Sequence, residues 1–368
     1  MNKTVWEKYA EVLVDYSTNV QKGDLVEIRA ESIYAKDLVR AVYKRVLERG
    51  GNPLVRTGLG DMAELFIKYA SDEQLDYIDP ITKLEYETVD KFISIGSPLN
   101  TKSMAHADLN KLARRGKATK ALSEMLMKRS AEGTAKWVIA DVPTHALAQE
   151  AKMSLDEYTE FLFKSCYLDL DNPVEKLKEL DEKQTKWAEY LNKVKKLRII
   201  GDRTDITFNV EGRKWISCSG LNNYPDGEVF TSPVEDDING EIYFDYPQNY
   251  RGNEAQGVHL WIENGKVVKA KAEKGEEFLH AMLDMDDGSR GIGEIAVGTN
   301  DMIQAITGNI LFDEKIGGAI HMAVGASYPE TGGKNVSGLH WDLIKNMKNG
   351  GKIFADDVLI YENGKFLI

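Results

Sequence analysis

Along the first half of the chain, short apolar runs alternate with amphipathic stretches. Residues 24–30 (DLVEIRA) form a partly alternating run that places Val26 and Ile28 on one face of an extended segment. The stretch 35–51 follows, with Leu38, Val42, Val46 and Leu47 at helical spacing and a Gly50-Gly51 stop. Residues 52–58 predict a second strand, 61–78 another helix, and 91–97 and 136–143 two more buried strands. Strands alternating with helices of this length predict a parallel or mostly parallel sheet covered by helices.

The pattern changes in the second half. Residues 173–197 predict a highly charged helix with Leu177, Leu180, Trp187, Leu191 and Val194 as its apolar stripe. Such a helix either binds a partner or connects two halves and packs its stripe at home; the second reading is the simpler. From about residue 198 the chain is rich in β-formers. Two copies of Glu-Asn-Gly-Lys, at 263–266 and 362–365, sit between alternating apolar runs and predict hairpins. Residues 227–244 predict a strand, a bend at Pro233 and a return strand, and 274–288 predicts the one helix of this half. The expected architecture is an α/β N-terminal domain with a mostly parallel sheet over 1–195, and an α+β C-terminal metal-binding domain over 196–368.

Length and composition set limits on this picture. With 368 residues the chain can build two cores, and 42% apolar with 29% charged residues is the balance of an ordinary globular protein. A net charge of −12 argues against a nucleic-acid partner, because a phosphate backbone selects basic surfaces. No glycine-rich phosphate loop follows a strand, so a nucleotide site lacks support. The first residues lack a basic-then-apolar leader pattern, and no apolar run approaches the roughly 18 residues of a membrane span. A cytoplasmic location is therefore expected. Cys166 and Cys218 are far apart and in no metal-binding spacing, and both read as small buried hydrophobes.

The candidate chemistry lies in the C-terminal half. In 317–329 (GGAIHMAVGASYP) an extended backbone puts His321 on one face with Ala323 and Gly325, whose small side chains leave room beside the imidazole. In His340-Trp341-Asp342 an extended backbone sends His340 and Asp342 to one side and Trp341 to the other, giving a two-pronged ligand anchored by an aromatic. Glu228 follows Pro225-Asp226-Gly227, and Glu294 opens a strand bracketed by glycines, where the backbone can approach closely. Each residue alone is unremarkable. Together they form a nitrogen-and-oxygen cage suited to zinc, cobalt or manganese and large enough for two ions. His106, His145, His259 and His280 have no acidic partner at such a spacing and read as structural or surface residues.

The segments YPDGEVFTSP (224–233), GIGEIAVGTN (291–300), DEKIGGAIHMAVGASYPETGG (313–333) and SGLHWDL (337–343) resemble signatures of the thermophilic metallo-aminopeptidases, the group of aminopeptidases T and S. The resemblance extends over the whole chain, with its specific motifs in the second half. It implies an enzyme that removes N-terminal residues from short peptides with two divalent ions per subunit (Zn, Co or Mn). It also implies Glu228, Glu294, His321, His340 and Asp342 as metal ligands, Tyr328 as an active-site tyrosine, and a homodimer. The stretch from Tyr328 to His340 is short for the family, which implies a trimmed loop around the pocket. Glu294 is the candidate general base as well as a ligand, with a ligand role alone as the alternative, and a metal or Asp313, Glu314 or Glu330 is open as the anchor for the substrate α-amine. The alternatives are a dipeptidase or other metal-dependent amidohydrolase, and a metal-stabilised dimer scaffold without turnover.

Overall fold

The computed structural model describes residues 3–60, 62–250 and 252–368. The chain divides into two compact units, Met1–Lys176 with Gly220–Tyr224, and Leu177–Ser219 with Pro225–Ile368. In the first unit β1 (Leu25–Ala30), β2 (Asn52–Thr57), β3 (Lys91–Gly96) and β4 (Lys136–Asp141) form a parallel sheet in the order β2-β1-β3-β4. The four strands expected from the apolar runs are all present. Leu38, Val42 and Val46 are buried on helix Lys36–Glu48, whereas Leu47 is 53% exposed, since the next residue lies about 100° further round the helix.

The helix expected over 61–78 is two helices, Met62–Tyr69 and Asp72–Asp76 (Asp61 lies outside the described residues). The break comes at Ser71, whose hydroxyl accepts from the Gln74 amide while Gln74 returns a bond to the Ser71 amide. That reciprocal cap starts a new helix. Helix Leu109–Ala131, the longest among the described residues, is not among the expected elements. It buries only Leu122, so its sequence carries little apolar periodicity.

The second unit is built on two antiparallel sheets. The larger has eight strands: β5 (Lys196–Gly201), β6 (Thr204–Asn209), β10 (Ile238–Phe244), β13 (Val258–Glu263), β14 (Lys266–Lys271), β18 (Lys352–Ala355), β19 (Val358–Glu362) and β20 (Lys365–Phe366). Both Asn-Gly hairpins form, between β13 and β14 and between β19 and β20. Asn264, Gly265, Asn363 and Gly364 all have positive φ, as this turn requires. The charged helix is shorter than expected, Pro173–Leu191, because the chain turns extended at Lys196. Leu177, Leu180, Leu191 and Val194 are buried, and the last two belong to the core of the second unit. The C-terminal part of the stripe, Leu191 and Val194 with Trp187 against them, thus packs in that unit's own core. β11 (Gln248–Tyr250) and β12 (Asn253–Ala255) pair separately.

The smaller sheet matters most. It runs β17-β16-β15-β9-β7, with β7 Ile216–Cys218, β9 Glu228–Thr231, β15 Ile292–Gly298, β16 Ala319–Gly325 and β17 His340–Asn346. β8 (Asn223–Tyr224), between β7 and β9 in sequence, pairs with β4 of the first sheet instead. β9 and β10 do not return on each other as expected; β9 pairs with β7 and β15, while β10 joins the larger sheet. The pleat alternates the two faces of the smaller sheet. Ile295, Val297, Ile320, Met322, Val324, Trp341 and Leu343 point into the core. Glu228, Glu294, His321, His340 and Asp342 therefore share the other face.

Trp341→Ala should cost about 3–5 kcal/mol of unfolding free energy, the loss of a large buried aromatic. His340→Ala, on the opposite face, should cost far less when both are compared by urea denaturation with chelator present. Equal costs would mean that the two faces are not separated as described.

Candidate metal centre

Strand register brings the polar face together. Glu294 pairs with Ala323, and Ala323 with Asp342 on its other side; His321 pairs with Ala296, Gly325 with His340, and Gly298 with Glu228. Each acid or imidazole thus has an alanine or glycine as a neighbour on at least one side, which leaves room for its side chain. Two glycines are required by the backbone. Gly227 has φ +143° and a Cβ there would lie 2.8 Å from that of Asn300; a Cβ on Gly293, at the bulge before Glu294, would lie 2.0 Å from the Ala326 carbonyl oxygen.

The five predicted residues converge. His321 Nε2 lies 3.3 Å from Glu228 Oε2 and 3.5 Å from Glu294 Oε1. His340 Nε2 lies 3.4 Å from Glu294 Oε2 and 3.5 Å from Asp342 Oδ1. The donors form two sets, Glu228/Glu294/His321 and Glu294/His340/Asp342, each with its ligand atoms within 4.8 Å of one another, and Glu294 belongs to both. Tyr328 stands over the second set, its hydroxyl 3.4 Å from His340 Nε2 and its ring edge-on to that imidazole and to Phe230.

Both imidazoles are oriented from behind. His321 Nδ1 donates to the Glu314 carbonyl at 3.0 Å, and His340 Nδ1 donates to the Ala326 carbonyl at 2.8 Å. A carbonyl can only accept, so each Nδ1 carries a hydrogen and each Nε2 faces the centre, where the lone pair of a neutral imidazole would meet a metal ion. Glu228 Oε2 and Asp342 Oδ1 are buried without a hydrogen-bond partner. Buried carboxylate oxygens left bare are costly unless a cation meets them. The residues present therefore fit divalent ions bound through oxygen and nitrogen.

Electrostatics agree with this fit. Burial pushes the Glu228 carboxyl up, against the pull of Lys315 and His321. Burial also raises Glu294 and Asp342, but the histidines beside them win and hold both below the usual carboxylate range. Burial lowers His321, yet Glu294 and Glu228 outweigh it and lift the imidazole to about 9.

Two further groups belong to the centre and escaped the sequence reading in that role. Lys315 is buried among Asp226, Glu228 and Glu314. The Glu314 carboxylate lies within 4.8 Å of the ligand atoms of His321 and Asp342. Their only sequence signal was position, in the loop leading into β16. Of the other acids considered, Asp313 accepts from the Thr307 and Gly308 amides and from the Thr307 hydroxyl, and Glu330 is exposed on the turn after Tyr328. His259 does have an acidic neighbour, Glu241 Oε2 at 3.0 Å, reached across the β10–β13 pair, and it stacks on Trp261. Cys218 lies beside Asp226 and Glu228, whereas Cys166 is buried in the first unit.

A parallel α/β unit, and an antiparallel unit that carries a buried carboxylate–imidazole cluster able to bind cations, define the class as a metalloprotein fold with a candidate metal centre. Residues 2–366 match the model of the thermophilic metalloprotease family M29, and the chain belongs to that family. It is a hydrolase acting on peptide bonds. Its relatives include aminopeptidase 2 of Geobacillus stearothermophilus, 30% identical over 88% of this chain and 84% of that one. Aminopeptidase AmpS of Bacillus subtilis is 28% identical over 93% and 88% of the two chains, and aminopeptidase T of Thermus thermophilus 26% over 88% and 85%. The solved structure of wild-type AmpT from Thermus thermophilus superposes with a TM-score of 0.85, covering 99% of both chains at 24% identity. A 2,5-dihydroxypyridine dioxygenase of Pseudomonas putida KT2440 shares the fold more distantly, with a TM-score of 0.63 at 15% identity over 100% of this chain and 98% of that one. The resemblance carried by the four segments thus holds for the family and the fold.

The raised His321 gives a pH prediction. A histidine whose folded pKa exceeds its unfolded value of about 6.5 stabilises fully below that value, and the contribution is lost as pH rises through the folded one. Cation-depleted protein should therefore lose stability between about pH 6.5 and 9, while zinc affinity rises over the same window because the ion no longer displaces a proton. Calorimetry in buffers of different ionisation enthalpy would show proton release on zinc binding near neutral pH; no release would refute the assignment.

Proposed function

We propose that this enzyme is a metallo-aminopeptidase that removes the N-terminal residue of short peptides at a two-cation centre. Glu228, Glu294 and His321 hold one ion, and Glu294, His340 and Asp342 hold the other. The observation that carries the reading is Glu294, whose two oxygens face the two imidazoles separately. When bound, zinc, cobalt or manganese at such a pair supplies a water of near-neutral pKa and an electrophile for the scissile carbonyl.

The chain's own residues then divide the remaining work. With both oxygens engaged, Glu294 serves as the shared ligand rather than the base. Glu314 faces His321 and Asp342, one from each set; with Lys315 against one of its oxygens, it is the carboxylate placed to take a proton from the attacking water and return it to the leaving amine. The Tyr328 phenol donates a hydrogen bond to the oxyanion that develops on the carbonyl oxygen. Burial and the surrounding acids keep this phenol well above its ordinary pKa, so it remains a donor.

A homodimer is part of the same reading. Helix Met62–Tyr69 leaves Met62, Leu65 and Tyr69 exposed, an apolar surface suited to a second subunit. So is a cytoplasmic location, in keeping with two free thiols and, among the described residues, no helix long and apolar enough to cross a membrane. A monomeric mass by light scattering at micromolar protein would remove the dimer from the reading.

Exhaustive chelation should abolish release of amino acids from unblocked peptides and anilides, and cobalt, zinc or manganese should restore it. Full activity after chelation, or cleavage confined to N-blocked amides, would overturn the proposal. Glu228→Ala and Asp342→Ala should lower the metal count per subunit. Tyr328→Phe should keep that count and lose roughly 10²–10³ in kcat, and Glu314→Gln should keep it and lose roughly 10²–10⁴.

A further inference from the structure

We propose that Lys315 is the protein's own cation in this cluster. Its ammonium fills the position between Asp226, Glu228 and Glu314, limits the centre to two exchangeable ions, and keeps Cys218 out of the ligand set. The inference rests on the two-cation reading above.

Lys315 is 1% exposed, yet its amine is crowded by acids. Nζ lies 2.8 Å from Glu314 Oε1 and 3.8 Å from Asp226 Oδ1, and it donates a hydrogen bond to Glu228 Oε1. Cys218 pairs with Glu228 across β7 and β9, and ligand atoms of Cys218, Asp226 and Glu228 lie within 4.8 Å of one another. A thiol with two carboxylates is a donor set that divalent zinc, cobalt or cadmium accepts. Glu228, Glu314 and Asp226 raise the Lys315 amine against its burial. A third ion would compete for the place where the ammonium stands.

Lysine suits this task because its charge is compact, carries three donors and is tethered by the chain, so it cannot exchange with solvent. Its contact with Glu228 also has a direction. Oε1 is taken by the ammonium, which leaves Oε2, bare of any hydrogen bond, turned towards His321. One carboxylate is thereby shared between a permanent cation and an exchangeable one. Lys315 touches Glu228, a proposed ligand, and Glu314, the proposed base, and not substrate, so it is a positioning residue.

The test counts cobalt in chelator-treated, reconstituted protein and records its near-ultraviolet spectrum. Wild type should show no thiolate-to-cobalt band, and Cys218→Ser should leave both its count and its spectrum unchanged. Lys315→Ala should bind one more cobalt per subunit than wild type and gain a thiolate band that the Lys315→Ala/Cys218→Ser double variant lacks. An unchanged count without a band in Lys315→Ala, or a thiolate band in wild type, overturns the proposal. Should Lys315→Ala not fold, Lys315→Met, which keeps most of the side chain's bulk without its charge, is read by the same criterion. A wild type holding fewer than two ions would sink the two-cation reading alone, because the measure here is the gain of one ion when the ammonium is removed.

Discussion

Five polar groups can be buried side by side on the small sheet only because its other face is apolar. The pleat forces the separation: the residues that send Glu294, His321 and Asp342 one way send Ile295, Met322 and Trp341 the other. Packing of the lower face fixes register, and register fixes the upper face, since a slip of one residue would exchange the two. The candidate cage is thus positioned by the hydrophobic core beneath it, with the ion pairs among its own members added to that frame.

Charge is the second constraint. Glu228, Glu294, Glu314, Asp226 and Asp342 are gathered around two imidazoles and one ammonium. Buried carboxylates in that number are tolerable only with compensating cations, and the chain supplies some of them itself. Lys315 is the permanent part. The histidines are the adjustable part: the acids around them raise both imidazoles, and a bound cation would need them neutral. The backbone carbonyls of Glu314 and Ala326 keep each imidazole in one tautomer through that change.

The supporting helix shows how a distant element serves the site without touching it. Gln184 on helix Pro173–Leu191 donates to the main-chain carbonyls of Glu228 and Cys218 and to the Thr299 hydroxyl, tying β7, β9 and the end of β15 together. An otherwise highly charged helix thus buries one neutral amide where a carboxylate ligand must be held still. In its sequence Gln184 is indistinguishable from its solvated neighbours.

The sequence by itself determined what depends on local periodicity and backbone permission. The alternation in His340-Trp341-Asp342, the glycines beside Glu228 and Glu294, the Asn-Gly turns and the apolar runs of β1 to β4 each state a conformation within a few residues, and the family's motifs lie in those same stretches. Tertiary structure decided whatever depends on which strands become neighbours. Only pairing could send β9 and β10 to different sheets, give His259 its Glu241, bring Glu314 rather than Asp313 or Glu330 beside His321 and Asp342, and drop Lys315 among three carboxylates. Those outcomes are set by long-range register, for which a short window of sequence carries no signal; burial then turns the resulting proximity into chemistry.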